Sequence, residues 1–233
     1  MSVRCCSRAS CGSKQLAAKR YEAVVFDMDG VLADSEPVYY EAMNSVINAL
    51  GKTVTPELQR RLMGHSVQDT WRVIGEEFGL EGPLDALIGQ YDRELCRRLA
   101  LVDTTLPGVR ELLSTLKARK VPVGLASSSW PGWIEALLGG IGLQGQFDAV
   151  VSATLVEHPK PAPDIYLLAA ERLGVLPERC IAIEDTPTGL ASAKAAGMLT
   201  IQARSASTAF PPQPDASLVL DSLVDFDLTL LRD

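Results

Sequence analysis

The sequence predicts an α/β protein, with an open parallel sheet covered by helices on both faces and a small all-helical domain inserted after the first strand. Two observations carry this prediction. Short, continuous apolar runs alternate with segments of helical periodicity, a pattern typical of right-handed βαβ units. One long stretch, residues 36–103, breaks the alternation because it contains helical patterns only.

Five apolar runs predict the strands. Runs rich in β-branched and aromatic residues are typical of parallel strands that are buried on both faces. The first run ends at the glycine turn of Asp27-Met28-Asp29-Gly30, and the second ends in a run of serines. The predicted strands cover residues 23–26, 121–126, 147–151, 180–183 and 199–201.

The segments between the later strands predict helices. Two of these segments end at Gly174 and Gly197, and glycine is the residue that most often follows a helix in the left-handed conformation. Together with the strands they predict a Rossmann-like core. The predicted helices cover residues 109–117, 131–138, 165–173 and 189–196.

Helix-start signals and helical spacing mark the inserted stretch. Thr55-Pro56 pairs an N-cap residue with proline at the first helical position, and Ser66 with Asp69 resembles a capping box. Apolar residues then recur on one helical face. They are Val67, Trp71, Ile74 and Phe78, followed by Leu84, Leu87, Ile88, Tyr91 and Leu95.

The first twenty residues differ from the rest of the chain. They contain arginine, lysine and serine but no acidic residue, which is typical of a disordered tail or of a plastid or mitochondrial transit segment. We therefore expect a tail over 1–20, a core formed by 21–35 and 104–233, and a helical domain over 36–103.

Charge and cysteine content restrict the partners. The chain has 29 acidic and 22 basic residues and a net charge of −7, so it would repel the phosphates of nucleic acids. No apolar run approaches the length of a membrane span. The 5 cysteines match no zinc-binding spacing and indicate a reducing compartment. We expect a cytoplasmic monomer that binds a small molecule.

Polar residues of four segments follow the predicted strands or lie in the loops beyond them. In open parallel sheets, ligands bind at the carboxyl ends of the strands. Taken singly, each segment is as consistent with a solvated turn, a helix cap or an exposed charge. The residues are Asp27 and Asp29, Ser127, Lys160, and Glu184 with Asp185.

Taken together, these residues predict a site for a cation and an anionic substrate. Four carboxylates at one edge would repel each other unless a cation lay among them, and Mg²⁺ is the hard ion that combines carboxylates with a substrate phosphate. Lys160 would add positive charge for the substrate, and Ser127 would add a hydrogen-bond donor.

The same residues carry a resemblance to the haloacid dehalogenase superfamily. The segment Phe26-Asp27-Met28-Asp29-Gly30-Val31-Leu32-Ala33-Asp34-Ser35, followed in order by Ser127, Lys160 and Glu184-Asp185, resembles its four motifs. The helical insert resembles the family's C1-type cap. Over about residues 21–225 the chain resembles the β-phosphoglucomutase-like and sugar-phosphatase branch.

The resemblance implies a role for each residue. Asp27 would attack phosphorus to form an aspartyl-phosphate, and Asp29 would act as general acid and base. Ser127 and Lys160 would hold the phosphoryl oxygens. Mg²⁺ would be bound by Asp185, the Asp27 carboxylate and the Asp29 backbone carbonyl, with Glu184 as a further metal-binding or orienting residue.

Departures from the family's other activities favour a Mg²⁺-dependent phosphatase of a small phosphomonoester such as a sugar phosphate. The family's dehalogenases need neither the second aspartate nor Mg²⁺. Its phosphonoacetaldehyde hydrolases use a lysine of the cap, where this chain offers only Lys52, in a predicted loop.

A phosphomutase is the main alternative, and a non-catalytic binding protein is a further one. The mutases carry Lys-Gly-x-Ser-Arg in the cap, where this chain has Met63-Gly64-His65-Ser66-Val67. Tyr39 replaces their histidine, and Trp130-Pro131 replaces a Lys-Asn pair. The candidate substrate-binding residues are Ser128, Tyr39, His65 and Trp130.

Overall fold

The computed structural model of the protein describes residues 21–62, 66–206 and 209–232. The predicted tail over 1–20, with Cys5, Cys6 and Cys11, lies outside the described residues. The candidate residue His65 and its neighbours Met63 and Gly64 lie outside them as well.

Six strands of the described residues form one parallel sheet. The predicted open parallel α/β sheet is confirmed. The five predicted strands are present, and a sixth forms a half-buried edge that the sequence pattern did not reveal. The strands are β1 (Ala23–Phe26), β2 (Val123–Ser127), β3 (Ala149–Ser152), β4 (Cys180–Glu184), β5 (Leu199–Ala203) and β6 (Leu218–Leu220). Their order across the sheet is β3-β2-β1-β4-β5-β6.

Four helices follow β1 directly and form the insert, defined here as residues 36–99. Asp69 N donates to Ser66 Oγ at 3.1 Å, and Leu58 N donates to Thr55 Oγ1 at 3.2 Å, so both predicted helix starts are confirmed. The helices of the insert are α1 (Glu36–Asn48), α2 (Pro56–Leu62), α3 (Val67–Phe78) and α4 (Asp85–Leu99).

Four more helices cover the sheet on both faces. Val24 and Phe26 of β1 pack with one pair of helices, whereas Ala23 and Val25 pack with the other pair, as the alternation of side chains along a strand requires. The first pair is α5 (Val109–Ala118) and α6 (Pro131–Gly140), and the second is α7 (Asp164–Leu173) and α8 (Pro187–Ala195). None of the described helices is long and apolar enough to cross a membrane.

The insert contacts the core where α4 packs against α6. Trp133 Nε1 donates to Asp92 Oδ1 at 2.7 Å across this contact. A side chain at Gly140 would collide with the backbone oxygens of Val102 and Leu99, so a glycine is needed for this close approach. The contact fixes one side of the insert above the carboxyl edge of the sheet.

Candidate active site

Asp27 and Lys160 meet at the centre of the carboxyl edge. Asp27 follows β1, and its backbone N–H donates to Ile183 O at 2.9 Å, which extends the pairing with β4. Lys160 Nζ donates to Asp27 Oδ1 and to Glu184 Oε1, both at 2.6 Å, and to Ala126 O at 3.0 Å. The Lys160 side chain is only 6% exposed, and these three contacts give each of its N–H groups a protein acceptor.

This cluster holds more negative than positive charge. Burial raises the pKa of Asp27 to about 8, and the charges of Glu184 and Asp29 act in the same direction, although Lys160 opposes them. Burial also raises the pKa of Asp185, with Glu184 and Asp27 adding to the shift. One ammonium therefore does not neutralise the carboxylates around it.

The carboxylates fit a hard metal ion. Ligand oxygens of Asp27, Glu184 and Asp185 lie within 4.8 Å of one another, and Asp185 Oδ1 is buried without a hydrogen-bond partner among the described residues. Gly30, at a φ of +76°, allows this approach, because a side chain there would collide with the Asp185 carboxylate. An oxygen-only donor set with one unsatisfied carboxylate oxygen suits Mg²⁺.

Glu184 differs from Asp185 because protein donors bind both of its oxygens. Oε1 accepts from Lys160 and from the hydroxyl of Tyr166 at 2.7 Å. Oε2 accepts from the backbone N–H of Asp185 at 3.1 Å and from Thr186 Oγ1 at 3.2 Å. Glu184 therefore anchors Lys160, and Asp185 is the acid with an oxygen left for a metal.

Asp29 lies beside the cluster and is surrounded by hydroxyl groups. Ser35 Oγ donates to Asp29 Oδ1 at 2.5 Å, and Ser129 Oγ donates to Oδ2 at 2.8 Å. The hydroxyl of Tyr39 lies 3.3 Å from Oδ2 and 2.8 Å from Ser129 Oγ. Burial raises the pKa of Asp29, while these three hydrogen bonds lower it. The net upward shift favours a carboxyl group that can hold a proton.

The three consecutive serines that begin with the last residue of β2 have different positions. Ser127 is fully buried, and its Oγ accepts from Ser129 N at 3.1 Å. Ser128 is exposed and lines the cleft, as does Ser129, whose backbone oxygen accepts from Ser152 Oγ at 2.7 Å. Ser127 and Ser129 therefore order the loop from within the protein, and Ser128 is the serine exposed to the cleft.

A cleft of about 820 Å³ lies between the insert and the core, above these residues. Asp27, Asp29, Lys160 and Asp185 form its floor. Tyr39 and Trp130 line it as well, and Trp130 stacks on Trp133 with ring centroids 5.0 Å apart. The structure thus brings the described candidates together, with Ser127 and Glu184 beneath the surface of the cleft.

The sequence analysis assigned no role to several hydroxyl groups of the site. Ser35 and Ser129 bind Asp29, and Tyr166 binds Glu184. Ser35 ends the first motif and Ser129 ends a run of three serines, but neither position indicated a bond to Asp29, and Tyr166 follows no recognisable spacing.

Comparisons with known proteins find similar sequences and structures over most of the chain. A model of the haloacid dehalogenase-like hydrolases matches residues 21–197. A phosphorylated carbohydrates phosphatase of Thermotoga maritima is 37% identical over 177 residues, 76% of this chain and 82% of that protein. A β-phosphoglucomutase of Bacillus subtilis is 31% identical over 91% of this chain and 94% of its own length. The crystal structure of CbbY from Rhodobacter sphaeroides with phosphate has a TM-score of 0.79 at 27% identity, covering 88% of this chain and 96% of that one.

Proposed function

The chain belongs to the haloacid dehalogenase-like hydrolases and is a phosphoric monoester hydrolase, and we propose that it is a Mg²⁺-dependent phosphatase of a small polyhydroxylated metabolite. The observation that carries this proposal is the floor of the cleft. There the Asp27–Lys160 pair, the unsatisfied Asp185 oxygen and the hydroxyl-bound Asp29 lie side by side.

Asp27 is the proposed nucleophile. Lys160 holds Oδ1, whereas no hydrogen bond to Oδ2 is found among the described residues. In the first step a carboxylate oxygen of Asp27 bonds to phosphorus, and the bond from phosphorus to the leaving alcohol oxygen breaks. The phosphoryl group is then carried as an aspartyl-phosphate.

Asp29 is the proposed general acid and base. In the first step its carboxyl proton passes to the alcohol oxygen. In the second step Asp29 takes a proton from water as the water oxygen attacks phosphorus, which releases phosphate and restores the Asp27 carboxylate. Ser35, Ser129 and Tyr39 hold the Asp29 side chain in one orientation throughout.

Charge on the phosphoryl group must be neutralised for a carboxylate to approach it. Bound Mg²⁺ would neutralise most of this negative charge. Asp27, Asp185 and the Asp29 backbone carbonyl would hold the ion. Lys160 opposes protonation of Asp27, and the exposed Ser128 offers a hydroxyl donor at the rim. We assign Glu184 the role of holding Lys160 and the Asp185 backbone in place.

A phosphomutase remains the alternative, but the composition of the cleft disfavours it. A mutase must grip a second phosphate on the side of the insert. Lys160 is the one basic side chain that lines the cleft in the part of the chain that the structure describes. A non-catalytic binding protein is favoured still less, because the nucleophile, acid and metal-binding residues are all present.

The proposal is tested by phosphate release from p-nitrophenyl phosphate and from a panel of hexose and hexitol phosphates. We expect turnover with Mg²⁺ and loss of it in EDTA, restored when Mg²⁺ is added in excess. Full activity in EDTA, or no activity on any monoester with Mg²⁺, would refute it. Conversion of β-glucose 1-phosphate to glucose 6-phosphate, faster than phosphate release, would favour the mutase.

A further inference from the structure

Two polar side chains of the insert face the cleft as a pair. Glu36 is the first residue of α1, and Gln59 lies on α2. Both are half-buried and line the cleft, and Gln59 Nε2 donates to Glu36 Oε2 at 3.4 Å. This long hydrogen bond leaves the pair able to accept and donate further bonds.

Glu36 has Gln59 as its hydrogen-bond partner and no cationic partner among the described residues. Burial, together with the charge of Asp29, raises the pKa of its carboxyl to about 7. A carboxylate removed from water is unfavourable unless hydrogen-bond donors replace the lost water. A ligand that brings such donors into the cleft would therefore be stabilised by Glu36.

The wall beside Glu36 is aromatic. Tyr91 packs edge to face between Trp71 and Trp133, with ring centroids 5.6 and 5.8 Å apart, and all three rings line the cleft. The indole N–H of Trp71 is buried and has no acceptor among the described residues. The wall thus combines apolar rings with the Glu36 carboxyl group, the Gln59 amide and the unpaired indole N–H of Trp71.

The charge of this wall excludes an anionic leaving group. Glu36 and Asp69 line it from the insert, and the described part of the insert contributes no lysine or arginine to the cleft. A second phosphate or a carboxylate would be repelled there. A neutral alcohol with several hydroxyl groups fits, because its hydroxyls donate to the carboxylate and its C–H faces pack on the rings.

We propose that Glu36 and Gln59 form a subsite that binds hydroxyl groups of the leaving alcohol and sets the preference of the enzyme for polyol phosphates. The inference rests on the proposed phosphatase activity and deepens it. Both side chains would contact only the alcohol part of the substrate, away from the phosphorus atom. They therefore determine specificity and take no part in the transfer of the phosphoryl group.

The test compares two substrates that differ only in hydroxyl groups. Sorbitol 6-phosphate and hexyl phosphate have the same carbon number and both release a primary alcohol. The ratio of their kcat/KM values isolates recognition of the hydroxyls from the chemistry that both share. We expect the wild-type protein to prefer sorbitol 6-phosphate.

Two variants probe the subsite. We expect Glu36→Gln to lower this ratio by about tenfold or more, because a hydrogen bond to a charged group contributes about that much. Gln59→Met should lower it by about three- to tenfold, because the amide is neutral. Glu57→Gln is the matched control, since it also removes an acid from the first turn of a helix but is exposed and outside the cleft. Its ratio should equal that of the wild type. Melting temperatures check that each variant is folded.

The outcomes separate the two levels of the proposal. If the wild type hydrolyses neither substrate nor any other monoester with Mg²⁺, the phosphatase proposal fails. If it hydrolyses both but the two variants keep the wild-type ratio, the subsite alone is refuted. A Glu36-dependent preference for 6-aminohexyl phosphate over sorbitol 6-phosphate would overturn the polyol class in favour of a cationic alcohol.

Discussion

Lys160 Nζ lies 2.6 Å from Oδ1 of Asp27 and 2.6 Å from Oε1 of Glu184, so one buried ammonium joins the proposed nucleophile to an acid of a neighbouring strand. Although burial alone would lower the pKa of Lys160, the charges of Asp27 and Glu184 raise it, so the ammonium stays protonated. The same contact opposes protonation of Asp27. Lys160 therefore both stabilises the carboxyl edge and limits the rise in the pKa of the nucleophile.

Replacing this ammonium should damage stability and activity together. We expect Lys160→Met to lower the free energy of unfolding by about 3 kcal/mol at pH 8 in EDTA, because it leaves buried carboxylates uncompensated. Turnover should fall by about 100-fold or more, since Asp27 becomes easier to protonate. Urea denaturation and steady-state kinetics measure the two effects.

Lys194→Met is the matched control, because Lys194 pairs with Asp215 at the surface. An exposed pair contributes about 1 kcal/mol or less. Equal stability losses in the two lysine variants would contradict the structural role given to Lys160.

Stability without metal should fall as pH rises. The pKa of Asp27 is about 8 in the folded protein, and that of Glu36 is about 7, against about 4 for carboxyl groups in an unfolded chain. Groups whose pKa is raised on folding stabilise the protein fully below pH 4, and this stabilisation is lost as pH rises to 8. Urea denaturation in EDTA at pH 5, 6.5 and 8 measures the trend. Constant or rising stability over this range would contradict it.

Asp185→Asn should make the metal-free protein more stable. It removes one of the repelling carboxylates, so we expect a higher melting temperature than that of the wild type at pH 8 in EDTA. Excess Mg²⁺ should raise the melting temperature of the wild type but have little effect on this variant. Asp103→Asn, at an exposed position, is the control that should respond to Mg²⁺ like the wild type. An undiminished response in Asp185→Asn would exclude Asp185 as a ligand.

The sequence could predict this edge of the sheet because strand ends can be read from composition. Apolar runs end at Asp27, Ser127 and Glu184, and parallel pairing brings such ends to one edge. The sequence also placed Lys160 in a loop beyond the third strand, but its contact with Asp27 could not be predicted, since no periodicity specifies where a loop lysine points.

The hydroxyl network around Asp29 could not be predicted in the same way. Ser35 and Ser129 are 94 positions apart in the chain numbering yet bind the same carboxylate, and that meeting depends on how the first loop packs on the second. Tyr166 lies on the buried face of α7 and has the pattern of a core residue. The short strand β6 is half-exposed at the sheet edge, where little apolar patterning is required.

The two aspartates of the first motif should fail in different ways. Asp27→Asn should abolish both turnover and phosphoenzyme, because an amide is too weak a nucleophile. Asp29→Asn should lower turnover by about 10²–10⁴-fold, because it cannot transfer a proton. With p-nitrophenyl phosphate, whose leaving group needs no proton, the first step of Asp29→Asn should be slowed less than it is with a sugar phosphate. The aspartyl-phosphate of this variant should persist longer than that of the wild type. Rapid-quench labelling with a ³²P substrate measures this. Label on Asp27→Asn, or wild-type turnover of Asp29→Asn, would show the roles to be wrong.

Tyr39 should act on the reaction through Asp29. Its hydroxyl bonds to Asp29 and Ser129, while its ring packs edge to face on Trp133 at 5.9 Å, a contact that phenylalanine would keep. The Tyr39 hydrogen bond lowers the pKa of Asp29, so Tyr39→Phe should raise it. The basic limb of the pH profile of kcat/KM, where the protonated acid is lost, should therefore move to higher pH. Loss of one orienting bond should also lower kcat by about three- to tenfold.

Tyr40→Phe is the matched control, because the Tyr40 hydroxyl donates to Val54 O at 2.9 Å, away from the acid. A change in KM alone, with an unmoved pH profile, would make Tyr39 a substrate contact instead of a positioning residue.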